Sequence, residues 1–374
     1  MMRFAAAALL LCVPLLSQQH EPHLKSLEDR KAEWRAEHHI ILNLVMKDAS
    51  GAPASHLSQQ DIVLLDNGKP QPLESFREMT GLHSLEPVHV VVVLDTVNNS
   101  RKDLTEQQKS LESFLESTSG TLPYPTSLAL VTDAATSVGE ATRDSASLTA
   151  QLKELPLTSH MEEGYDTSAF GRSNSVELST IKKEQSDGAA RSQQLSNLNR
   201  RFQRSIPALE YLAHWQQDSP GRCLLFWLGR GWPMLTESEF TSDSARTQLG
   251  YFDSVVALTN ALRAAQITVY NVGYPHASGS GYKGFLADVT SEHQATAGNL
   301  SLQVFAIHTG GAVMDHGSLG DQIRSGLADA TPYYSVAFDA QAAHTLHEHH
   351  AIRVTVSGRP DISVSTDSAF YDEP

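Results

Sequence analysis

Residues 88–100, VHVVVVLDTVNNS, decide how the rest of the chain is read. Four valines and a leucine run uncharged to Asp95, a stretch too short to cross a membrane and too apolar for a strand with one face in water. Such a run fits a central strand of a parallel sheet covered on both faces by helices. Open α/β sheets bind ligands beyond the carboxyl ends of their strands. Asp95 and the small polar residues after it, including Asn99 and Ser100, therefore mark the rim where a site is expected.

Moving outward, residues 88 to about 330 alternate strand and helix patterns. TSLALVT (126–132), RCLLFWLG (222–229) and ITVYNVG (267–273) are apolar runs rich in branched or aromatic residues, and residues 104–115, 208–217, 254–265 and 319–329 read as helices between and after them. This alternation implies an α/β fold, a doubly wound and mostly parallel sheet joined by right-handed crossovers. Residues 156–205 form an insertion rich in Ser, Gln and charge, expected to be mobile in its early part, with 193–204 able to extend the helix at 208–217.

Strand chemistry flanks this unit. Residues 38–84 contain short alternating runs and the turn signal Asp66-Asn67-Gly68, where Asn-Gly accepts the positive φ angles of a tight hairpin. Residues 333–374 return to strands in YYSVAF, AIRVTVSG and DISVSTDSAF. The economical arrangement packs both terminal segments into one β-sandwich, with the α/β domain inserted between them.

The first residues, MMRFAAAALLLCVPLLSQQHEP, have a basic Arg3, an apolar stretch and a small Ser17. They read as a secretory signal peptide over 1–17, followed by a linker or exposed helix over 18–37. The apolar stretch is shorter than the roughly 20 residues a membrane span needs, and no later segment reads as transmembrane. The expected location is periplasmic or extracellular. Lys+Arg 28 against Asp+Glu 43 gives a net charge of −15, which disfavours nucleic-acid and anionic-lipid partners. Once Cys12 leaves with the leader, Cys223 is the remaining thiol, so no internal disulfide is expected.

Taken in order, several phrases resemble an exported bacterial, acidobacterial-type family with a von Willebrand factor A-related domain. They are DIVLLDNGKPQ (61–71), VVVVLDTVN (90–98, within the run above), TRDSASL (142–148), HTGGAVMD (308–315) and TPYYSVAF (331–338). The resemblance implies a central sheet between helices with a metal-ion-dependent adhesion site at its rim, opened by Asp-x-Ser-x-Ser. Here Asp95 matches, but Val97 and Asn99 stand at the serine positions, and Gly229-Arg230-Gly231 follows the strand where a second aspartate is expected. Magnesium requires near-octahedral oxygen ligation and an isopropyl group offers no oxygen. A degenerate site without cofactor is expected, with Arg230 neutralising Asp95 in place of a cation.

Residues 344–350, HTLHEHH, hold four of the 17 histidines. The spacing is not that of a His-Glu-x-x-His protease, but His347 and His349 would share one face of an extended segment and could chelate a transition metal. No Gly-x-Ser-x-Gly elbow, Walker loop or dinucleotide fingerprint is present. Trp227 and Trp232, with Tyr274-Pro275, could line the same rim as Asp95 or lie in the core. The leading expectation is an exported, non-enzymatic binding or scaffold protein. It would use the rim of Asp95, Asn99, Ser100 and Arg230 on a protein or cell-envelope partner. The alternative is a metal-dependent adhesion protein or hydrolase using Asp95 or His347 and His349.

Overall fold

The valine run becomes the strand at the middle of a seven-stranded sheet. The computed structural model describes residues 38–80, 87–159, 186–232, 245–273 and 280–374. The expected leader and linker, residues 160–185 of the insertion, and Tyr274-Pro275 lie outside the described residues.

Along the chain the strands and helices are β1 (His39–Lys47), β2 (Ile62–Asp66), β3 (Lys69–Gln71), β4 (Ser75–Met79), β5 (His89–Asp95), α1 (Arg101–Glu116), β6 (Thr121–Val131), β7 (Thr136–Val138), β8 (Thr142–Asp144) and α2 (Ser145–Glu154). They continue as α3 (Ser186–Gln217), β9 (Cys223–Leu228), α4 (Ala245–Ala264), β10 (Ile267–Val272), α5 (Leu302–His308), β11 (Ala312–Met314), α6 (Leu319–Leu327), β12 (Tyr333–Asp339), β13 (Glu348–Val356), β14 (Ser363–Ser365) and β15 (Ala369–Asp372).

The large sheet runs β11-β10-β9-β5-β6-β7, with β8 also paired to β6. β5 pairs in parallel with β6 and β9, and β10 with β9 and β11, while β7 and β8 lie antiparallel at the edge. Counted from β5 and leaving out β8, this is the doubly wound order 3-2-1-4-5-6. Side chains alternate across the sheet. Val91 and Val93 join one core with Phe202, Leu209 and Leu212 of α3 and Leu258 and Leu262 of α4. Val90, Val92 and Leu94 join the opposite core with Leu111 and Leu115 of α1, Leu148 of α2 and Ile323 of α6. Each such buried side chain contributes about 1.5–3 kcal/mol, so burial on both faces pins the strand in register.

The terminal segments meet as expected. One four-stranded sheet runs β14-β1-β12-β4 and another β15-β13-β2-β3, and a single core of Ile40, Leu42, Leu64, Phe338, Val354 and Phe370 lies between them. β1 pairs antiparallel with β12 from His39↔Asp339 to Leu44↔Tyr334. The β2–β3 turn has Asn67 at φ 47 and Gly68 at φ 76, the conformation its sequence favours.

Two elements exceed the sequence reading. α3 extends back to Ser186 and passes through Pro207, its apolar residues Leu198, Phe202 and Ile206 covering the sheet. The short α5 was not anticipated as a helix. α2 begins where Asp144 caps the amides of Ala146 and Ser147 at 3.3 and 3.1 Å, and α5 is a buried single stretch whose sequence carries no amphipathic period. Among the described residues no helix is long and apolar enough to cross a membrane.

Candidate functional site

Asp95 ends β5 beneath the rim and is fully buried, at 0% exposure. Its Oδ1 accepts the amides of Val97 at 2.9 Å and Asn98 at 3.0 Å, as an aspartate does when it closes a turn on itself. Its Oδ2 accepts the Asn98 amide nitrogen Nδ2 at 2.7 Å and the Trp227 indole Nε1 at 3.0 Å. Burial pushes the carboxyl above the usual carboxylate range, and the bonds from Asn98, Trp227 and Val97 act in the opposite direction. Trp227 of β9 arrives by strand register, opposite Val93 of β5, and Trp232 packs edge-on against it at 5.2 Å.

The network extends into α3. Asn98 Nδ2 also donates to Ser205 Oγ at 2.8 Å, and Asn98 Oδ1 accepts Arg201 Nε at 3.2 Å. Asn98 thus turns its amino end to the carboxylate and its carbonyl end to a guanidinium that is 3% exposed. A buried carboxylate and a buried cation are joined through one amide, an arrangement that spares either charge from facing apolar surroundings.

Asn99 organises the backbone of the rim. Its Nδ2 donates to the carbonyls of Asp95 at 2.8 Å and Leu228 at 3.2 Å, its Oδ1 accepts Gln107 Nε2 at 3.0 Å, and its own carbonyl accepts Ser159 Oγ at 2.6 Å. Gly229, at φ 129, makes room for it: a Cβ there would lie 2.5 Å from Asn99 Oδ1. Ser100 caps α1 in a reciprocal box with Asp103, a pairing legible in the Ser-x-x-Asp spacing.

The four expected rim residues therefore separate. Asp95 and Asn99 lie inside, at 0% and 1% exposure, while Ser100 and Arg230 reach the surface. The sequence led us to expect Arg230 against Asp95, but the guanidinium turns to a different carboxylate. Its Nη2 stands 3.9 Å from Asp103 Oδ1, and Gln303 holds its carbonyl at 2.9 Å. Trp227 and Trp232 are core residues at 1% and 0% exposure. Asn98, Arg201, Gln107 and Ser159 were not singled out from sequence, and only Asn98, adjacent to the rim motif, carried a local signal.

Around Asp95 the neighbours are hydrogen-bond donors, whereas a divalent cation needs oxygen acceptors. Val97 is an apolar residue at 3% exposure. This donor set does not fit the metal of an adhesion site.

The histidine run is dispersed among carboxylates. His347, at φ 55, pairs with Glu373 at 2.6 Å and meets the edge of Phe252. His349 faces Asp288 at 3.9 Å, and His350 holds Asp66 at 2.8 Å while stacked on Phe370 at 4.5 Å. His347 and His349 thus turn to different acids instead of forming a two-imidazole chelate. Among the described residues no group of three or more His, Cys, Asp or Glu side chains stands ready to hold a metal ion. Cys223 is buried, with its thiol pushed up to about 12 by burial.

Strand order and layering define a doubly wound α/β domain framed by a β-sandwich. No protein-family model matches the chain, and no curated protein matches it. Among solved structures, an aerotolerance-related membrane protein from Bacteroides fragilis is 12% identical, covering 65% of this chain and 98% of that one, with a TM-score of 0.30. A von Willebrand factor type A protein from Catenulispora acidiphila is 10% identical over 90% of this chain and 73% of that one, with a TM-score of 0.30. The human COPII-coat protein Sec24c is 10% identical over 77% and 44% respectively, with a TM-score of 0.31. These are distant likenesses, and the fold assigned above rests on the chain's own strand order.

Proposed function

We propose that the chain is an exported, non-enzymatic binding or scaffold protein whose A-like domain recognises a protein or cell-envelope component at its rim without a metal ion. The observation that supports this reading is the Asp95 carboxylate, buried and supplied with four donors from Val97, Asn98 and Trp227. In that seat the internal donors do what a cation does elsewhere: they satisfy the carboxylate and hold the loop. Contact with a partner then falls to the surface residues of the rim, Arg230 and Ser100 first, on a platform made rigid by Asp95 and Asn99. Export rests on the leader read over 1–17. The reading as a non-enzyme rests on the absence of a nucleophile elbow or phosphate loop in the sequence and on the core position of Cys223.

The test is calorimetric titration of the chain with Mg²⁺, Mn²⁺ and Ca²⁺ beside Asp95→Ala. The expected result is no saturable heat in either protein. Saturable binding that disappears in Asp95→Ala would overturn the metal-free rim and restore the metal-dependent alternative.

A further inference from the structure

Where the sandwich meets the α/β domain, a cleft of about 550 Å³ opens that includes none of the rim residues. Pockets that bind ligands span about 300–1,000 Å³. Residues 290–293, before α5, and residues 345–349, which lead into β13, supply most of the lining. Buried Phe252 of α4 forms the floor, and Asn67 of the β2–β3 turn completes it. Both stretches are held in place. Gln294 Oε1 accepts the Thr290 amide and hydroxyl at 2.7 and 3.0 Å. Asn67 Nδ2 donates to the His349 carbonyl at 3.0 Å, and its Oδ1 accepts the Ala351 amide at 2.9 Å. A site built before its ligand arrives gives up little freedom on binding.

The polar lining is rich in acceptors. Glu292 and Glu348 bring a carboxylate from each stretch, and no lysine or arginine is among the described residues that line the cleft. The Glu348 carboxylate accepts the His344 amide at 2.5 Å, which holds it below the usual carboxylate range. His349, its side chain 6% exposed, has no hydrogen bond to its ring among the described residues; the carboxylate it faces, Asp288, stands 3.9 Å away, beyond hydrogen-bond reach. Burial keeps that imidazole below the usual histidine range, so at neutral pH one ring nitrogen is a bare acceptor. A nearly buried polar group without a hydrogen bond is an exception in folded proteins. At the lip, Leu346 is 74% exposed, far more than any other large apolar side chain among the described residues.

We propose that this cleft docks an arginine-bearing segment of a partner protein, with the guanidinium against Glu292, Glu348 and His349 and a neighbouring apolar side chain over Leu346. A guanidinium carries five N–H donors in one plane and no acceptor, the complement of two carboxylates and a neutral imidazole. Its hydrocarbon stem suits the Phe252 floor. An acidic segment would meet Glu292 and Glu348 with no cation in the lining to offset them, and a small free amine would leave Leu346 in water. The contact is separate from the one at the rim.

Fluorescence anisotropy of the full chain with a labelled Gly-Leu-Arg-Leu-Gly-amide peptide tests it. Saturable binding is expected. Citrulline in place of the peptide's arginine keeps the shape and removes the charge, and it and Glu292→Gln should each weaken binding about tenfold. Leu346→Ser should weaken it roughly threefold to tenfold. Glu292 and Leu346 are exposed, so both variants keep the fold. Arg230→Glu should leave the affinity unchanged. No saturable binding, equal binding of the citrulline peptide, or binding indifferent to both Glu292→Gln and Leu346→Ser overturns this site and leaves the metal-free rim untouched. Binding lost in Arg230→Glu and retained in Glu292→Gln also overturns it, and moves the peptide to the rim.

Discussion

Replacing Asp95 with asparagine tests the hydrogen-bonded hub directly, because the substitution keeps the shape and changes only what the side chain can accept. With its carbonyl turned to Val97 and Asn98, asparagine still accepts the two backbone amides now held at 2.9 and 3.0 Å. Its NH₂ then faces two other donors, the Asn98 amide at 2.7 Å and the Trp227 indole at 3.0 Å. Two hydrogen bonds to a charged acceptor are lost, at about 1.5–3 kcal/mol each. Removing a buried charge offsets part of that loss, leaving a net destabilisation of about 3 kcal/mol, in the range seen when one partner of a buried charged group is removed. Urea unfolding at neutral pH, followed by far-ultraviolet circular dichroism, measures it as a lower midpoint with an unchanged slope. A loss below about 0.5 kcal/mol, the size of a surface substitution, would refute the claim that these donors depend on the carboxylate.

Gly229→Ala places a Cβ 2.5 Å from Asn99 Oδ1 at a φ of 129, so a loss of about 2–4 kcal/mol is expected from strain and displacement together, read in the same assay. Arg230→Glu opposes Asp103 across an ion pair that is partly exposed; stability should change by less than about 1 kcal/mol, while cross-linking through a photoreactive group placed beside position 230 should lose its partner. For His350, burial alone would lower the pKa, but the hydrogen bond to Asp66 and the carboxylates of Asp66, Asp372 and Glu348 outweigh it and raise it. The unfolded chain then holds fewer protons on this group than the folded one, so its stabilisation is complete below the unfolded value of about 6.5 and is lost as pH rises through the higher folded value. Thermal melts between pH 6 and 8.5 should show that decline in the parent and a flatter profile in His350→Gln; equal slopes would refute the assignment.

Much of this protein could be read from local pattern. The valine run, the alternation of strands with helices and the Asn-Gly turn are signals with a period of two, of 3.6, or of a few residues, so they survive in one dimension. The Ser100–Asp103 cap belongs to the same kind. Asp95 as the end of a central strand followed from these signals as well.

What surrounds Asp95 did not. Arg230 was the nearest cation in the reading of the rim, yet it turns to Asp103, and a residue of α3, Arg201, reaches the network through Asn98. Trp227 becomes a hydrogen-bond donor to Asp95 only because the β5–β9 register sets it opposite Val93. The histidine run looked like one cluster, but β13 directs its rings to carboxylates on other elements, and Glu292 shares a cleft with His349 only across the joint between the sandwich and the α/β domain. The sequence by itself determined the periodic elements and their layering, because hydrophobic period is a local property of the chain. The tertiary structure decided which polar groups satisfy one another, because a buried donor or acceptor is paired by whichever partner the packing brings within about 3 Å.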